Sequence, residues 1–249
     1  MTIVRGVNIL ASRCCGARYA SPRYASMNFR ACEYWTDGWR EQSLMPNDEG
    51  LRRCKCGRFV LLQELVQIGT AEASDLPPIE QVPDEMLPAC IATADHEDVE
   101  VAARLTYWRL MNHPYRQHYR KHRDAEEAAT QAAWKAANPD RRTWLDRLLR
   151  QPEPRYTRPP GSPFTYPAFE PSDRQLRNME RLSELVAARH PASPPRYALE
   201  LAELYREQRR FEEAAFVMES INGDDTDFAR KLITDMISEK DAAPMRYRM

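Results

Sequence analysis

The chain has 249 residues, of which 43% are hydrophobic and 29% charged, so it is long enough and apolar enough to form one large or two modest domains. Its 36 basic and 37 acidic side chains give a formal charge of −1, which argues against general binding of polyanions. Glycine is scarce, with 8 residues, and neither a dinucleotide-binding nor a P-loop glycine motif occurs.

The N-terminal residues 1–10 contain one arginine and no uninterrupted apolar core, unlike a signal peptide. No segment approaches the roughly 18 apolar residues that a transmembrane helix requires. We therefore expect a cytoplasmic protein without a membrane partner. In that reducing compartment, the 6 cysteines favour metal binding or free thiols over disulfides.

Residues 1–69 hold two cysteine clusters and most of the strand signals. A short apolar run, 7–10, leads into the first cluster, and another, 59–62, follows the second. Asp37-Gly38 lies after an aromatic run, and this dipeptide is typical of a type I′ hairpin. These signals predict a small antiparallel β module.

Two pairs of cysteines, each followed at once by glycine, predict one metal site made by Cys14, Cys15, Cys54 and Cys56. Four thiolates suit a structural, tetrahedral Zn²⁺ ion, and such a closed site does not imply catalysis. Both pairs depart from the usual two-residue spacing between ligands, and Cys32 is a candidate substitute for one member of the first pair. The alternatives are a degenerate site without metal and a redox or iron–sulfur role.

The middle of the chain changes from proline-rich to helical and back. Residues 70–96 combine prolines with acidic residues and are predicted to be a connector. Apolar residues recur at helical spacing in 97–111, and 115–137 is rich in alanine, arginine and glutamate, so the region 97–151 is predicted to be helical. The proline-dense segment 152–171 is predicted to be a strap packed through its aromatic residues.

The last large segment, 172–243, is predicted to form helical hairpins. Its predicted helices are 173–189, 196–208, 211–220 and 227–239. The stretch from Ala198 to Ala214 resembles one tetratricopeptide unit, in which Ala202 and Ala214 mark a close helix crossing. One such unit buries its core only against flanking helices. The tail 245–249 is predicted to be frayed.

Short motifs extend along most of the chain. They are Cys15-Gly16, Trp35-Thr36-Asp37-Gly38, Cys54-Lys55-Cys56-Gly57, Tyr107-Trp108 ahead of Asn112-His113-Pro114, and Arg210-Phe211-Glu212-Glu213-Ala214. Together they resemble a group of uncharacterised bacterial proteins that join an N-terminal zinc-ribbon-like module to C-terminal tetratricopeptide-like helices. In that group the leading ligand of the first pair stands where this chain has Ser12. The resemblance implies no assigned activity.

The predicted fold class is α+β, with a small zinc-ribbon-like antiparallel β module followed by a mostly helical region. No catalytic motif is visible, so we do not expect an enzyme, although a site assembled from scattered residues leaves no local motif. The predicted function is protein–protein interaction, as an adaptor, accessory or immunity-type factor. The alternative is a nucleic-acid-associated zinc protein that uses the basic and aromatic segment 109–123.

Overall fold

A computed structural model describes residues 3–27, 32–41, 47–139, 144, 148, 155–157, 165–189, 195–221 and 227–247. The chain forms two compact units, one of Met1–Asn112 with Glu170–Met249 and the other of His113–Phe169. In the described residues, small antiparallel sheets at the N-terminus are followed by a mostly helical region, which confirms the predicted α+β class.

The described strands form three small antiparallel sheets. In chain order they are β1 (Ile3–Ala11), β2 (Arg18–Ser26), β3 (Glu33–Trp35), β4 (Arg40–Glu41), β5 (Leu51–Arg53), β6 (Phe59–Leu61), β7 (Val66–Ala71), β8 (Glu80–Gln81) and β9 (Arg246–Tyr247). The sheets have the strand orders β2-β1-β7, β4-β3-β9 and β6-β5-β8. The predicted strands near the two cysteine clusters are therefore confirmed as β1 and β6.

The described helices match the predicted ones closely. They are α1 (Leu87–Ala92), α2 (Glu97–Met111), α3 (His113–Ala137), α4 (Asp173–Arg189), α5 (Pro195–Glu207), α6 (Phe211–Glu219) and α7 (Asp227–Ser238). The predicted connector 70–96 contributes more than a link, because it contains β8 and α1. Most of 140–154, at the end of the predicted helical region, lies outside the described residues.

Strand β2 was not predicted, because its sequence is polar and contains Pro22. A proline has no backbone N–H to donate and is tolerated mainly in edge strands. In the structure β2 is an edge strand that pairs only with β1, which places Pro22 opposite Val7. The hairpin of β1 and β2 carries the first cysteine pair.

The turn between β3 and β4 confirms the predicted hairpin at Asp37-Gly38 but corrects its type. The Trp35 amide donates to the Trp39 carbonyl at 3.0 Å, and the Gly38 amide donates to the Trp35 carbonyl at 2.9 Å. Within this turn only Gly38 has a positive φ, of 80°. The connection is therefore a three-residue loop that ends in a glycine with left-handed backbone conformation, and the prediction of a type I′ turn is wrong.

Residues 246–247 form a strand, so the prediction of a frayed tail is wrong for the part of 245–249 that the structure describes. Strand β9 pairs antiparallel with β3, and the rings of Tyr34 and Tyr247 stack at 5.8 Å. The Arg246 guanidinium donates to the Glu33 carboxylate at 2.8 Å. The first unit therefore includes both the N-terminal β module and the far end of the described chain.

The main hydrophobic core of the first unit packs α2 with α4, α5, α6 and α7. Trp108, Met179 and Leu204 are among its fully buried side chains. Ala202 of α5 and Ala214 of α6 are also fully buried, so small side chains lie where the predicted hairpin needs close helix contact. A second core packs β5 and β6 against α1 and α2.

In the second unit, the described part of the proline-rich strap packs against α3, as predicted. Tyr156, Tyr166 and Phe169 each contact an aromatic ring of α3, with ring centroids between 5.1 and 6.2 Å apart. Phe164, the fourth aromatic residue of the predicted strap, lies outside the described residues.

A buried arginine connects the β module to the helices of the first unit. Arg109 of α2 is 2% exposed, and its guanidinium donates to the Asp37 carbonyl at 3.0 Å and to the Glu200 carboxylate at 2.9 Å. It also forms an ion pair with Glu49. Burial would lower the pKa of Arg109, but Glu49 and Glu200 raise it, so the side chain stays charged.

A carboxyl group at the end of α5 lies in the same buried region. Glu207 accepts hydrogen bonds from Trp108 Nε1 at 2.7 Å and from Asn112 Nδ2 at 3.1 Å, and Asn112 Nδ2 also donates to Asp37 at 3.0 Å. Burial, followed by the nearby carboxylates of Glu203 and Asp37, raises the pKa of Glu207 well above its usual value. The Trp108 hydrogen bond opposes this rise only in part.

We expect the free energy of unfolding of Glu207→Gln to fall less than that of the wild type as the pH rises. A raised folded pKa means that the fold favours the neutral carboxyl, so this contribution is fully present below the ordinary pKa of 4.5 and is lost as pH rises through the folded pKa. Glutamine has the same shape and stays neutral. The measurement is the free energy of unfolding in urea over a pH series. Between the ordinary pKa and the folded pKa of Glu207, the difference in this free energy between variant and wild type should grow by up to about 1.4 kcal/mol per pH unit.

The matched control for this series is Glu219→Gln, which removes an exposed carboxylate from α6. Its pH profile should follow the wild type. The other charged groups that act on Glu207 are present in the variant as well: Glu203 and Arg206 of α5 and Asp37 of the β3–β4 turn. A difference in unfolding free energy between Glu207→Gln and wild type that stays constant with pH would mean that folding does not shift the pKa of Glu207, which contradicts the prediction.

Candidate metal centre and docking groove

Two β-hairpin turns present the predicted cysteine pairs. The first turn joins β1 to β2, and the second joins β5 to β6. Gly16 and Gly57, which follow the pairs, have φ values of 71° and 90°. Neither has an atom within 4 Å of an added Cβ, so glycine is favoured there by its backbone conformation and not by lack of space.

The two turns bring all four predicted cysteines together. The sulfur atoms of Cys14, Cys15, Cys54 and Cys56 all lie within 4.8 Å of one another. Individual S–S distances are 3.5 Å for Cys14–Cys54, 3.4 Å for Cys14–Cys56 and 3.3 Å for Cys15–Cys54. A tetrahedral site with Zn–S distances of about 2.3 Å has S–S edges of about 3.8 Å. The cluster is therefore compatible with a metal site.

Cys54 is the buried centre of this cluster, with 2% exposure. The hydroxyl groups of Ser12 and Tyr19 lie 3.4 and 3.3 Å from its sulfur. Burial alone would raise the pKa of Cys54, but its hydrogen bonds with the side chains of Ser12 and Tyr19 and with the backbone of Cys56 lower it to about 6. The surroundings therefore favour a thiolate, which is the form that binds metal.

Tyr19 links the two hairpins below the cluster. Its ring is buried at the start of β2, and its hydroxyl oxygen accepts a hydrogen bond from the Lys55 amide at 2.7 Å. Burial, followed by the hydrogen bond with Cys54, raises the pKa of Tyr19 to about 12. The tyrosine therefore stays neutral and fixes the second cysteine turn against the first hairpin.

The structure does not support Cys32 as a substitute ligand. Its thiol lies 3.9 Å from the Glu41 carbonyl oxygen, and the cluster of potential ligands does not include it. Both members of the adjacent pair, Cys14 and Cys15, lie in the cluster. Cys90 is buried in the second core, where burial raises its pKa to about 12. All six cysteines are free thiols.

Ser12, the position where the predicted resemblance implies a ligand, lies beside the thiols of the first turn. It is 3% exposed, and its hydroxyl lies 3.0 Å from the Cys14 sulfur. The serine therefore stays inside the site as a hydrogen-bonding neighbour of the thiols. Cys14, two residues later, provides the sulfur atom of the first turn that Ser12 lacks.

A groove on the helical hairpins forms a second candidate site. It has a cavity volume of about 380 Å³ and is lined by Ala187 of α4, Leu201 and Tyr205 of α5, and Glu212, Glu213, Phe216 and Val217 of α6. Phe216 is 75% exposed, the most of the exposed large hydrophobic side chains in the described residues. An exposed aromatic side chain beside an apolar groove is typical of a protein-binding surface.

Two arginines of the basic segment 109–123 are buried. Arg109 is held by carboxylates in the first unit, and Arg116 of α3 is fully buried. Arg123 pairs with Glu126 at 2.5 Å. These three arginines are therefore less accessible to phosphates, whereas Lys121 of the same segment is exposed, and the nucleic-acid alternative stays a prediction.

The sequence analysis predicted neither the groove nor the buried ionic cluster, which consists of Arg109 and the glutamates around it and at the end of α5. The groove residues come from three helices, so no local motif marks them. The cluster had one local signal, because Glu200, Glu203 and Glu207 recur at helical spacing on one face of α5. Such a run of carboxylates usually indicates a solvated face, yet all three side chains are buried.

Among the described residues, no helix is both long enough and apolar enough to span a membrane. Comparison with known proteins found no matching family model, no matching curated protein and no matching solved structure. The resemblance to bacterial zinc-ribbon and tetratricopeptide proteins therefore stays a prediction.

Proposed function

We propose that this protein is a protein–protein interaction adaptor, of the accessory or immunity type, whose N-terminal β module is closed by a structural Zn²⁺ ion. The observation that carries the adaptor function is the groove of α4, α5 and α6 with the exposed Phe216 at its side. The thiol cluster favours a structural metal ion, which stabilises the fold of the β module.

Zinc is the metal that we propose for the cluster of Cys14, Cys15, Cys54 and Cys56. Four sulfur ligands and a tetrahedral arrangement favour Zn²⁺ or an iron–sulfur centre over hard cations such as Mg²⁺. Two cysteine turns on neighbouring hairpins are a usual way to hold a structural zinc ion. With four protein ligands the ion keeps no open position for a substrate, so we propose no catalytic step.

The thiols also bear on the cellular compartment. Six free cysteines, including the adjacent exposed pair Cys14 and Cys15, fit a reducing environment such as the cytoplasm. In an oxidising compartment, adjacent thiols without metal would be prone to mixed disulfides. We therefore propose that the protein acts in the cytoplasm with its metal bound.

The test of the adaptor function is affinity capture with the full chain after nuclease treatment. The bait is compared with Phe216→Ala, which removes the exposed ring beside the groove. Phe228→Ala is the matched control, because Phe228 of α7 is 57% exposed and does not line the groove. A partner that binds wild type and Phe228→Ala but not Phe216→Ala supports the adaptor.

Two results would contradict the proposal. Loss of every partner on nuclease treatment would mean that nucleic acid mediates the interactions. Equal capture by wild type and Phe216→Ala would mean that the groove is not used. Metal analysis of the same preparation should find about one zinc ion per chain, as expected for a four-cysteine site.

A further inference from the structure

The exposed face of α6 surrounds one aromatic side chain with carboxylates. We propose that the groove binds a basic segment of a partner protein, in which one large apolar side chain is flanked by lysine or arginine. This inference rests on the proposed adaptor function and adds the chemistry of the partner. It is carried by the charges around Phe216 and by the shape of the groove.

Helical spacing places three glutamates around Phe216. Glu212 and Glu213 precede it by four and three residues, and Glu219 follows it by three, so all three share its side of α6. All three are exposed. An apolar ring that extends from between carboxylates is poorly suited to an acidic or purely apolar partner, because either would leave charges desolvated without a partner.

Only one of these carboxylates is neutralised by a cation in the described part of the chain. Arg210 donates to Glu213 at 3.1 Å, and burial of this pair is slight. Among the described residues, no lysine or arginine forms an ion pair with Glu212 or Glu219. The groove therefore presents a net negative rim that a cationic segment can complement.

A cation–aromatic contact of the proposed kind already occurs within the chain beside the groove. The Arg210 guanidinium lies 4.3 Å above the ring of Tyr205, which lines the groove. Cations favour the faces of aromatic rings because the ring face carries partial negative charge. A lysine or arginine of the partner can contact the exposed ring of Phe216 in the same way while its neighbouring apolar side chain fills the cavity next to Leu201 and Val217.

The probe for this proposal is a random peptide library displayed on phage. The library is selected on the full, metal-loaded chain and depleted on Phe216→Ala. The most enriched peptide is then labelled, and its affinity is measured by fluorescence polarisation for wild type, Phe216→Ala, the double variant Glu212→Lys with Glu219→Lys, and the control Phe228→Ala. Thermal unfolding of each variant confirms that these surface changes leave the fold intact.

We expect enriched peptides with lysine or arginine on both sides of a large apolar residue. Phe216→Ala should weaken binding by about tenfold or more, as for an aromatic hot spot. The double charge reversal should weaken it by a similar factor and reverse its dependence on salt, since added ions screen attraction to carboxylates in the wild type and repulsion by lysines in the variant. Phe228→Ala should bind like wild type.

Each contrary result overturns a defined part of the proposal. Enriched peptides that are acidic or neutral, yet still depend on Phe216, would overturn the basic partner and leave the adaptor function standing. No enriched peptide at all, together with no captured protein partner, would overturn both. Dimerisation of the pure chain that is lost in Phe216→Ala would identify a second copy as the occupant and overturn the inference.

Discussion

Replacement of Cys54 by serine is expected to abolish zinc binding and to unfold the N-terminal β module. Cys54 is the only buried thiol of the cluster and lies within 3.5 Å of the sulfur atoms of Cys14 and Cys15. Zinc binding contributes about 10–16 kcal/mol to the folding of small zinc-finger peptides.

Metal content and thermal unfolding measure this effect. Wild type should carry about one zinc ion per chain and Cys54→Ser close to none, with a lower melting temperature. Cys32→Ser and Cys90→Ser are the matched controls, since neither thiol belongs to the cluster. Both should keep the zinc content of wild type. A metal content near zero in wild type purified under reducing conditions would contradict the zinc site, and iron would point to the iron–sulfur alternative.

Replacement of Arg109 by methionine is expected to be the most destabilising change outside the metal centre. The guanidinium is 2% exposed, and its loss leaves the carboxylates of Glu49 and Glu200 without their main cation in a buried region. Removing one partner of a buried ion pair typically lowers the free energy of unfolding by about 3–5 kcal/mol. Urea unfolding followed by circular dichroism measures this loss.

The neutral triple variant Arg109→Met, Glu49→Gln and Glu200→Gln should recover much of the lost stability. It removes the two carboxylate charges together with the arginine, so the recovery separates charge burial from loss of packing. The control is Arg181→Met, which deletes ion pairs of a half-exposed arginine with Glu184 of α4 and Glu100 of α2 and should change unfolding by no more than about 1 kcal/mol. If Arg109→Met and Arg181→Met unfold alike, Arg109 does not hold the β module on the helices.

Local patterns were enough to predict the helices and the cysteine turns. Helical spacing of apolar side chains located α4, α5, α6 and α7, whose inward faces are buried as the pattern required. Glycine after each cysteine pair indicated the tight turns, because Gly16 and Gly57 adopt positive φ values. In both cases a few neighbouring residues determine the structure.

Contacts between distant residues were beyond sequence reasoning. The burial of Glu207 depends on Asp37 and Asn112, which lie on other elements, and no local pattern pairs them. Strand β2 was missed because Pro22 is acceptable only at a sheet edge, and edge position is a property of the whole sheet. The type of the Asp37-Gly38 turn also depended on the strand register around it.

The pairing of β9 with β3 also bears on how the protein folds during synthesis. Glu33 and Arg246, which bind each other across these strands, are 213 positions apart in the chain. On a translating ribosome the N-terminal segment emerges first, and β3 stays without one neighbour until residues 246–247 leave the exit tunnel. The hairpins that carry the thiol cluster can form early, whereas the β4-β3-β9 sheet can be completed only after nearly all of the described chain has been made.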